Sequence, residues 1–191
     1  MNLWVRLIRV ALGLVGKPRI DLLGVTRIRL RVWPNDLDLN GHVNNGRYLS
    51  LADLGRIDWF VRTGILSLAR RNKAFPIVGD AIAKFRRDLK VFQAFEIESR
   101  MLGWDEKWGF MEHRFIKDGR VIGVVAIRGV FKTSEGSLRP GNLLAGLGVA
   151  IPSPPLPNWV AHWHQGCEAM STLLRSEEQL TRPRRRCFPL T

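Results

Sequence analysis

The stretch GRYLSLADLGRIDWFVR, Gly46 to Arg62, constrains this chain more than any other. Read at 3.6 residues per turn, Tyr48, Leu51, Ala52, Gly55 and Trp59 form one stripe. Leu54, Ile57 and Val61 widen it well past the usual face of an amphipathic helix. A helix apolar over so much of its circumference has to be wrapped on several sides. Gly55 in its middle costs about 1 kcal/mol relative to alanine. That cost is tolerable where a neighbouring element packs too closely for a side chain.

The flanking sequence supplies the wrapping. TRIRLRVW alternates strictly, with Ile28, Leu30 and Val32 on one face and Arg27, Arg29 and Arg31 on the other, as a half-buried strand does. Pro34 stops it. Beyond the helix the chain reads as strands to about residue 132. FPIVGDAIAKFRRDLKVF is long, with a bend expected at Gly79, and AFEIESRMLGW alternates through Phe95, Ile97, Ser99 and Met101. KWGFMEHRFIKDGRVIGVVAIRGVFK folds back at Asp118-Gly119, a tight-hairpin pair. One strand, one buried helix and then at least four mostly antiparallel strands predict an α+β fold: a single antiparallel sheet wrapped around one long central helix.

At 191 residues the chain has room for one such domain, residues 21–139, with extensions at both ends. Residues 1–20 begin with MNLWVRLIRVALGLVGK. Trp4, Leu7, Ile8, Ala11 and Val15 fall on one side of a helix there, and Asn2, Arg6, Arg9, Gly13 and Gly16 on the other. A short basic amphipathic helix of this kind either docks on the protein's own core or lies in a membrane interface through residues 1–17. Arg6 and Arg9 interrupt the apolar run and no small-x-small site follows, so it reads poorly as a secretory signal. No stretch approaches the roughly 18 apolar residues of a spanning helix. The expectation is a cytoplasmic protein, with peripheral membrane contact as an option. Residues 140–191 open with a Gly- and Pro-rich connector, continue as a helix over NWVAHWHQGCEAMSTLLR and end in a basic tail.

Thirty Lys and Arg against seventeen Asp and Glu leave a net charge of +13, which attracts polyanions. The arginines are dispersed apart from RPRRR, Arg182 to Arg186, and neither zinc-finger spacing nor an aromatic RNA-binding motif accompanies them. Nucleic acid is therefore the minor reading. Cys167 has only His162 and His164 nearby, short of the four ligands a zinc site needs. With Cys187 it reads as one of two reduced thiols. No metal and no cofactor are expected.

Directly before the apolar helix stands DLDLNGHVNN, Asp36 to Asn45: two acids, a histidine and three asparagines around one glycine. Much of this is ordinary punctuation. Asn44 or Asn45 caps the helix, Asn40-Gly41 is a turn pair, and Asp36 suits a loop or a cap. Taken with the strand before it and the strands after it, however, the motif resembles a hotdog-fold acyl thioesterase of the broad 4-hydroxybenzoyl-CoA thioesterase group, over roughly residues 25–132. Asp38, Asn40 and His42 match the Asp-x-Asn-x-His motif of plant acyl-acyl-carrier-protein thioesterases. FRRDL, Phe85 to Leu89, is similar to a later motif of those enzymes, with Asp88 where they usually have Glu. PPLPNWV, Pro154 to Val160, resembles an extension in small single-domain relatives.

The resemblance implies hydrolysis of an acyl thioester carried on coenzyme A or on an acyl-carrier protein. Asp38 would attack the acyl carbon or activate a water. The backbone N–H of Asn45, at the positive end of the helix, would polarise the thioester carbonyl, a type of donor worth roughly 10²–10³ in rate. Asn40 and His42 would orient Asp38 or the water, and Asp88 is a candidate second carboxylate. Tyr48, the one tyrosine, is a candidate substrate contact but reads as core more than as site, and His113 reads as structural. At least a homodimer is implied. Two alternatives stand beside this. A non-hydrolytic acyl-CoA-binding hotdog protein would have no need of Asp38, and a hotdog dehydratase would need a different arrangement of histidine and acid. Acyl length, the choice of carrier and the nucleophile-or-base role of Asp38 are left open by the motif.

Overall fold

A computed structural model of the chain describes residues 3–148 and 151–181. The arginine cluster at 182–186 and Cys187 lie outside the described residues. The chain divides into two compact units, residues 1–155 and 156–191.

The first unit runs in order through α1 (Leu3–Leu12), β1 (Thr26–Arg31), a 3-10 turn (Pro34–Asp36), α2 (Asn45–Arg62), α3 (Ile65–Arg71), β2 (Phe75–Phe85), β3 (Ala94–Trp104), β4 (Gly109–Lys117), β5 (Arg120–Thr133), β6 (Gly136–Leu138) and α4 (Pro140–Ala145). The strands form one antiparallel sheet in the order β1-β3-β4-β5-β2, and the short β6 pairs with the end of β5. This is the hotdog arrangement of a curled sheet with α2 against its concave face. Leu51, Leu54 and Trp59 of α2 are buried in one core with Ile28 of β1, Ile97 of β3, Phe115 of β4 and Val125 of β5. The indole N–H of Trp59 donates to the Gly24 carbonyl at 2.9 Å, so the largest core side chain also satisfies its polar atom.

The close approach expected at Gly55 is there. A Cβ at that position would fall on the Ser99 hydroxyl and lie 3.0 Å from Ile97 Cγ2. Helix and sheet meet in a seam that admits no side chain. Two further expectations hold locally. The register of β2 on β5 shifts between Val78 and Asp80, so Gly79 is the bend. Asp118 and Gly119 both take positive φ (50° and 70°) between the paired residues Lys117 and Arg120, the backbone of a two-residue hairpin whose twist suits the strands. The region from Pro140, expected as a connector, starts with the short helix α4, entered through proline at its first position.

Helix α1 docks, but not by the face its periodicity suggests. Leu3, Leu7 and Val10 pack on the core and Arg6 is buried with them, whereas Trp4, Ile8 and Val15 are exposed. Arg6 turns inward because a fully buried acid, Asp36, awaits it. The two form an ion pair, with a second contact from Arg6 Nη1 to Asp36 Oδ1 at 3.1 Å. Arg6 also donates to the Arg31 carbonyl at 3.0 Å.

The second unit is described by α5 (Asn158–Thr181), a single helix of 24 residues. The Pro157 carbonyl accepts the N–H groups of Val160 and Ala161 at its start.

Candidate active site

The segment Asp36 to Asn45 is a compact loop held from inside and outside. Its own pairing runs between Leu37 and Val43. Asp38 N–H donates to the His42 carbonyl at 2.8 Å, and Gly41 N–H returns to the Asp38 carbonyl at 3.1 Å. Gly41 takes a φ of 74°, which a glycine adopts at little cost. Outside pairing comes from the segment after β2. Val43 N–H donates to the Leu89 carbonyl at 2.9 Å, and His42 bridges Lys90.

Within this loop the Asp38 side chain is half-buried and unevenly engaged. Its Oδ1 accepts the N–H of Asn40 at 2.9 Å and of His42 at 3.3 Å. Oδ2 has no hydrogen-bond partner among the described residues. The carboxylate is thus oriented through one oxygen while the other stays available. His42 Nε2 stands 3.5 Å from Asp88 Oδ2, within ion-pair reach when the imidazole is protonated. The structure therefore brings Asp38, Asn40, His42 and Asp88 into one neighbourhood, although Asp88 is 46 residues beyond His42 in neither motif nor strand continuity but by the pairing at Leu89.

The loop leads directly into the foot of α2. Asn44 is the cap, its side chain accepting the Gly46 N–H at 2.9 Å. Asn45 is the first helical residue, where the backbone N–H has no intrahelical acceptor. Tyr48, one turn on, is buried, and its ring packs against Phe85 and Phe115 with centroids 5.0 and 4.8 Å away. Burial, reinforced by the charge of Asp88, pushes its phenol up to about 12. Tyr48 is thus a core aromatic that lies within reach of the Asp88 charge.

Asp36, read as a loop or cap acid, does cap the 3-10 turn through the Trp33 N–H, and it does more than that. Both of its oxygens are engaged. Besides Arg6, Arg47 donates to Oδ1 through Nε at 3.1 Å and Nη2 at 2.9 Å, and the Trp33 N–H donates to Oδ2 at 2.8 Å. The Asp36 carbonyl accepts the Asn44 N–H at 2.8 Å. Burial works to raise the Asp36 carboxyl, but the bonds from Arg6, Trp33 and Arg47 outweigh it, and its pKa lies below the ordinary value. Asp36 thereby ties together α1, the loop and the first turn of α2. Only its position next to Asp38, in a chain rich in arginine, hinted at this.

Two further polar features lie on or face α2. Asp53 and Arg56 pair at 2.7 Å along the helix, an i, i+3 spacing visible in the sequence. Burial raises the Asp53 carboxyl, partly offset by Arg56, and lowers the Arg56 guanidinium, partly offset by Asp53. His113, read as structural, is fully buried, with Nδ1 2.9 Å from the Ser99 hydroxyl. Burial, aided by the nearby charge of Arg56, lowers its pKa to about 3. No group of three or more metal-ligating side chains occurs among the described residues.

Comparison with known proteins adds the following. Residues 32–164 match the family model described as the thioesterase-like superfamily. Protein THEM6 of Danio rerio is 33% identical over 166 residues, covering 85% of this chain and 80% of the relative. Thioesterase poxG of Penicillium oxalicum is 36% identical over 98 residues, 44% of this chain and 32% of the fungal protein. Among solved structures, a gentisyl-coenzyme A thioesterase superposes with a TM-score of 0.55 at 22% identity, over 65% of this chain and 100% of its own.

Proposed function

This chain belongs to the thioesterase-like superfamily, and from that premise we propose that it is a thioester hydrolase that cleaves acyl groups from coenzyme A, or from an acyl-carrier protein, through Asp38. The observation that carries the proposal is the Asp38 side chain: held through one oxygen by two loop N–H groups, open at the other, and set just before the foot of α2. A carboxylate so placed is pre-oriented, which is what a nucleophile or general base requires. The N–H of Asn45 is a donor without an internal partner, positioned by the helix itself. Charge developing on the thioester oxygen would be stabilised there without any reorganisation. His42 and Asp88 form a second pair able to orient water or relay a proton. Coenzyme A is favoured as the carrier by the substrate in the name of the gentisyl-coenzyme A thioesterase, whose fold this chain shares.

A homodimer fits the same reading. β2 lies at one edge of the sheet, and Phe75, Ile77, Val78, Ile82 and Phe85 along it are exposed. An unpaired edge carrying this much apolar surface is a pairing site. The chain passes from Phe85 to Asp88 within three residues, so a second copy seated on β2 would help cover a site that is open to solvent in the single chain.

Release of free thiol from acyl-CoA substrates of graded chain length, aromatic acyl groups included, tests the activity. Hydrolysis by the wild type that is lost in Asp38→Asn is the expected result. A chain that binds acyl-CoA but releases no thiol would reassign it as a binding protein.

A further inference from the structure

Helix α1 is anchored on one side and apolar on the other. Leu3, Leu7 and Val10 sit on the core and Arg6 is locked to Asp36, so the helix is a fixed part of the unit. Its outward strip is nonetheless hydrophobic: Trp4 is 69% exposed and Ile8 57% exposed, with Val5 and Leu12 exposed on the same helix and Val15 exposed just after it. Contiguous exposed apolar surface of this kind marks an interaction site. A second feature lies alongside. A groove of about 450 Å³ runs between α1 and β1, and Arg9, Lys17, Arg27, Arg29 and Arg31 are among its lining residues. Lys17 and Arg27 are partnered by Asp58 and Glu98, whereas Arg9 and Arg29 have no ion-pair partner among the described residues. Arg9 falls between the docked and outward faces of α1, so the cationic groove flanks the apolar strip.

We propose that the outward face of α1 and the basic groove beside it form a docking surface for an anionic lipid bilayer, with α1 lying in the plane of the interface. One occupant has to satisfy both features. A soluble polyanion would use the groove and leave Trp4 and Ile8 in water. An apolar protein surface would cover the strip and leave Arg9 and Arg29 without counter-charges. A bilayer with anionic headgroups accepts tryptophan and aliphatic side chains at its boundary and sets phosphates beside flanking arginines. The net charge of +13 strengthens attraction to it. The contact is peripheral: α1 has ten residues, and no described helix is long and apolar enough to cross a membrane. This surface is separate from Asp38 and does not depend on the thioesterase reading.

The test is co-sedimentation of the full chain with vesicles of phosphatidylcholine alone, and with vesicles in which part of it is replaced by phosphatidylglycerol. Binding to the mixed vesicles only is expected. Trp4→Ser and Ile8→Ser, which remove apolar contact without changing charge, should each weaken binding about tenfold. Arg9→Gln should weaken it as well, and melting temperatures should match the wild type. Absence of wild-type sedimentation overturns the proposal. So does binding that falls in Arg9→Gln but persists in both serine variants, which would mean simple polyanion attraction. A drop in native mass on Ile8→Ser would overturn it too, because the strip would then be covered by a second copy of the chain.

Discussion

Asp36 and Asp38 are two residues apart in the same loop, and the fold treats them in opposite ways. Asp36 is fully buried, and both its oxygens are engaged by Arg6, Arg47 and the Trp33 N–H. Asp38 is half-buried, with one oxygen held by loop N–H groups and the other unpartnered among the described residues. The first has no free valence to offer a substrate, so its value lies in holding other elements. The second holds only its own loop and keeps one oxygen free, as the proposed role in hydrolysis requires. Sequence proximity and residue type are the same; the surroundings divide the roles.

Exchanging each acid for its amide tests that division. Asp38→Asn keeps a side-chain oxygen for the Asn40 and His42 N–H groups, so the melting temperature should stay near wild type. The turnover rate should fall by about 10²–10⁴, or further if Asp38 attacks the acyl carbon directly. Near-normal turnover would leave Asp38 a turn residue and sink the mechanism. Asp36→Asn should act on stability instead, by about 3–5 kcal/mol, because it strands the buried Arg6 charge. Chemical denaturation measures the loss, and adding Arg6→Met should recover part of it. A stable Asp36→Asn protein would mean that α1 is held by its apolar contacts alone.

Acidity sharpens the same contrast between buried and accessible groups. The His113 pKa is lowered to about 3 in the fold and is about 6.5 in an unfolded chain. The unfolded state therefore binds more protons between these values. Stability should be unaffected above about pH 6.5 and should decline as pH falls towards 3, by up to about 1.4 kcal/mol per unit. Asp36, with its lowered pKa, adds a further loss only below the ordinary carboxylate range. Denaturation curves across this window should flatten in His113→Gln, and an unchanged slope would acquit His113. The smallest effect belongs to the helix foot. Asn44→Ala removes the cap and should cost about 1 kcal/mol with little change in turnover, since the Asn45 N–H remains. A large rate loss would place the Asn44 side chain in the chemistry.

How much of this could be read in advance follows from range. The strands, the hairpin at Asp118-Gly119 and the bend at Gly79 are written in neighbouring residues and could be read directly. So could the wrapped helix, because its apolar circumference and Gly55 together require neighbouring elements at contact distance. Asp38, Asn40 and His42 were visible as a motif. The seven residues of α3 are too few to show a helical period, and β6 has only three. The inward turn of Arg6 was hidden for a different reason. Helical periodicity assigns arginine to solvent, and Asp36, thirty residues away, reverses that. The same distance concealed the fact that the less conspicuous of the two acids is the structural one.

The seam at Gly55 makes α2 behave as a lever. Its fulcrum is where the glycine meets Ser99 and Ile97, and its working end is Asn45, ten residues or about 15 Å away at 1.5 Å per residue. A methyl group at the fulcrum would have to tilt or lift the helix. Over such an arm, a tilt of about 4° moves the tip by about 1 Å, a displacement able to cost around 10² in rate. A residue with no side chain thus sets the aim of the Asn45 N–H, the donor proposed for the thioester carbonyl.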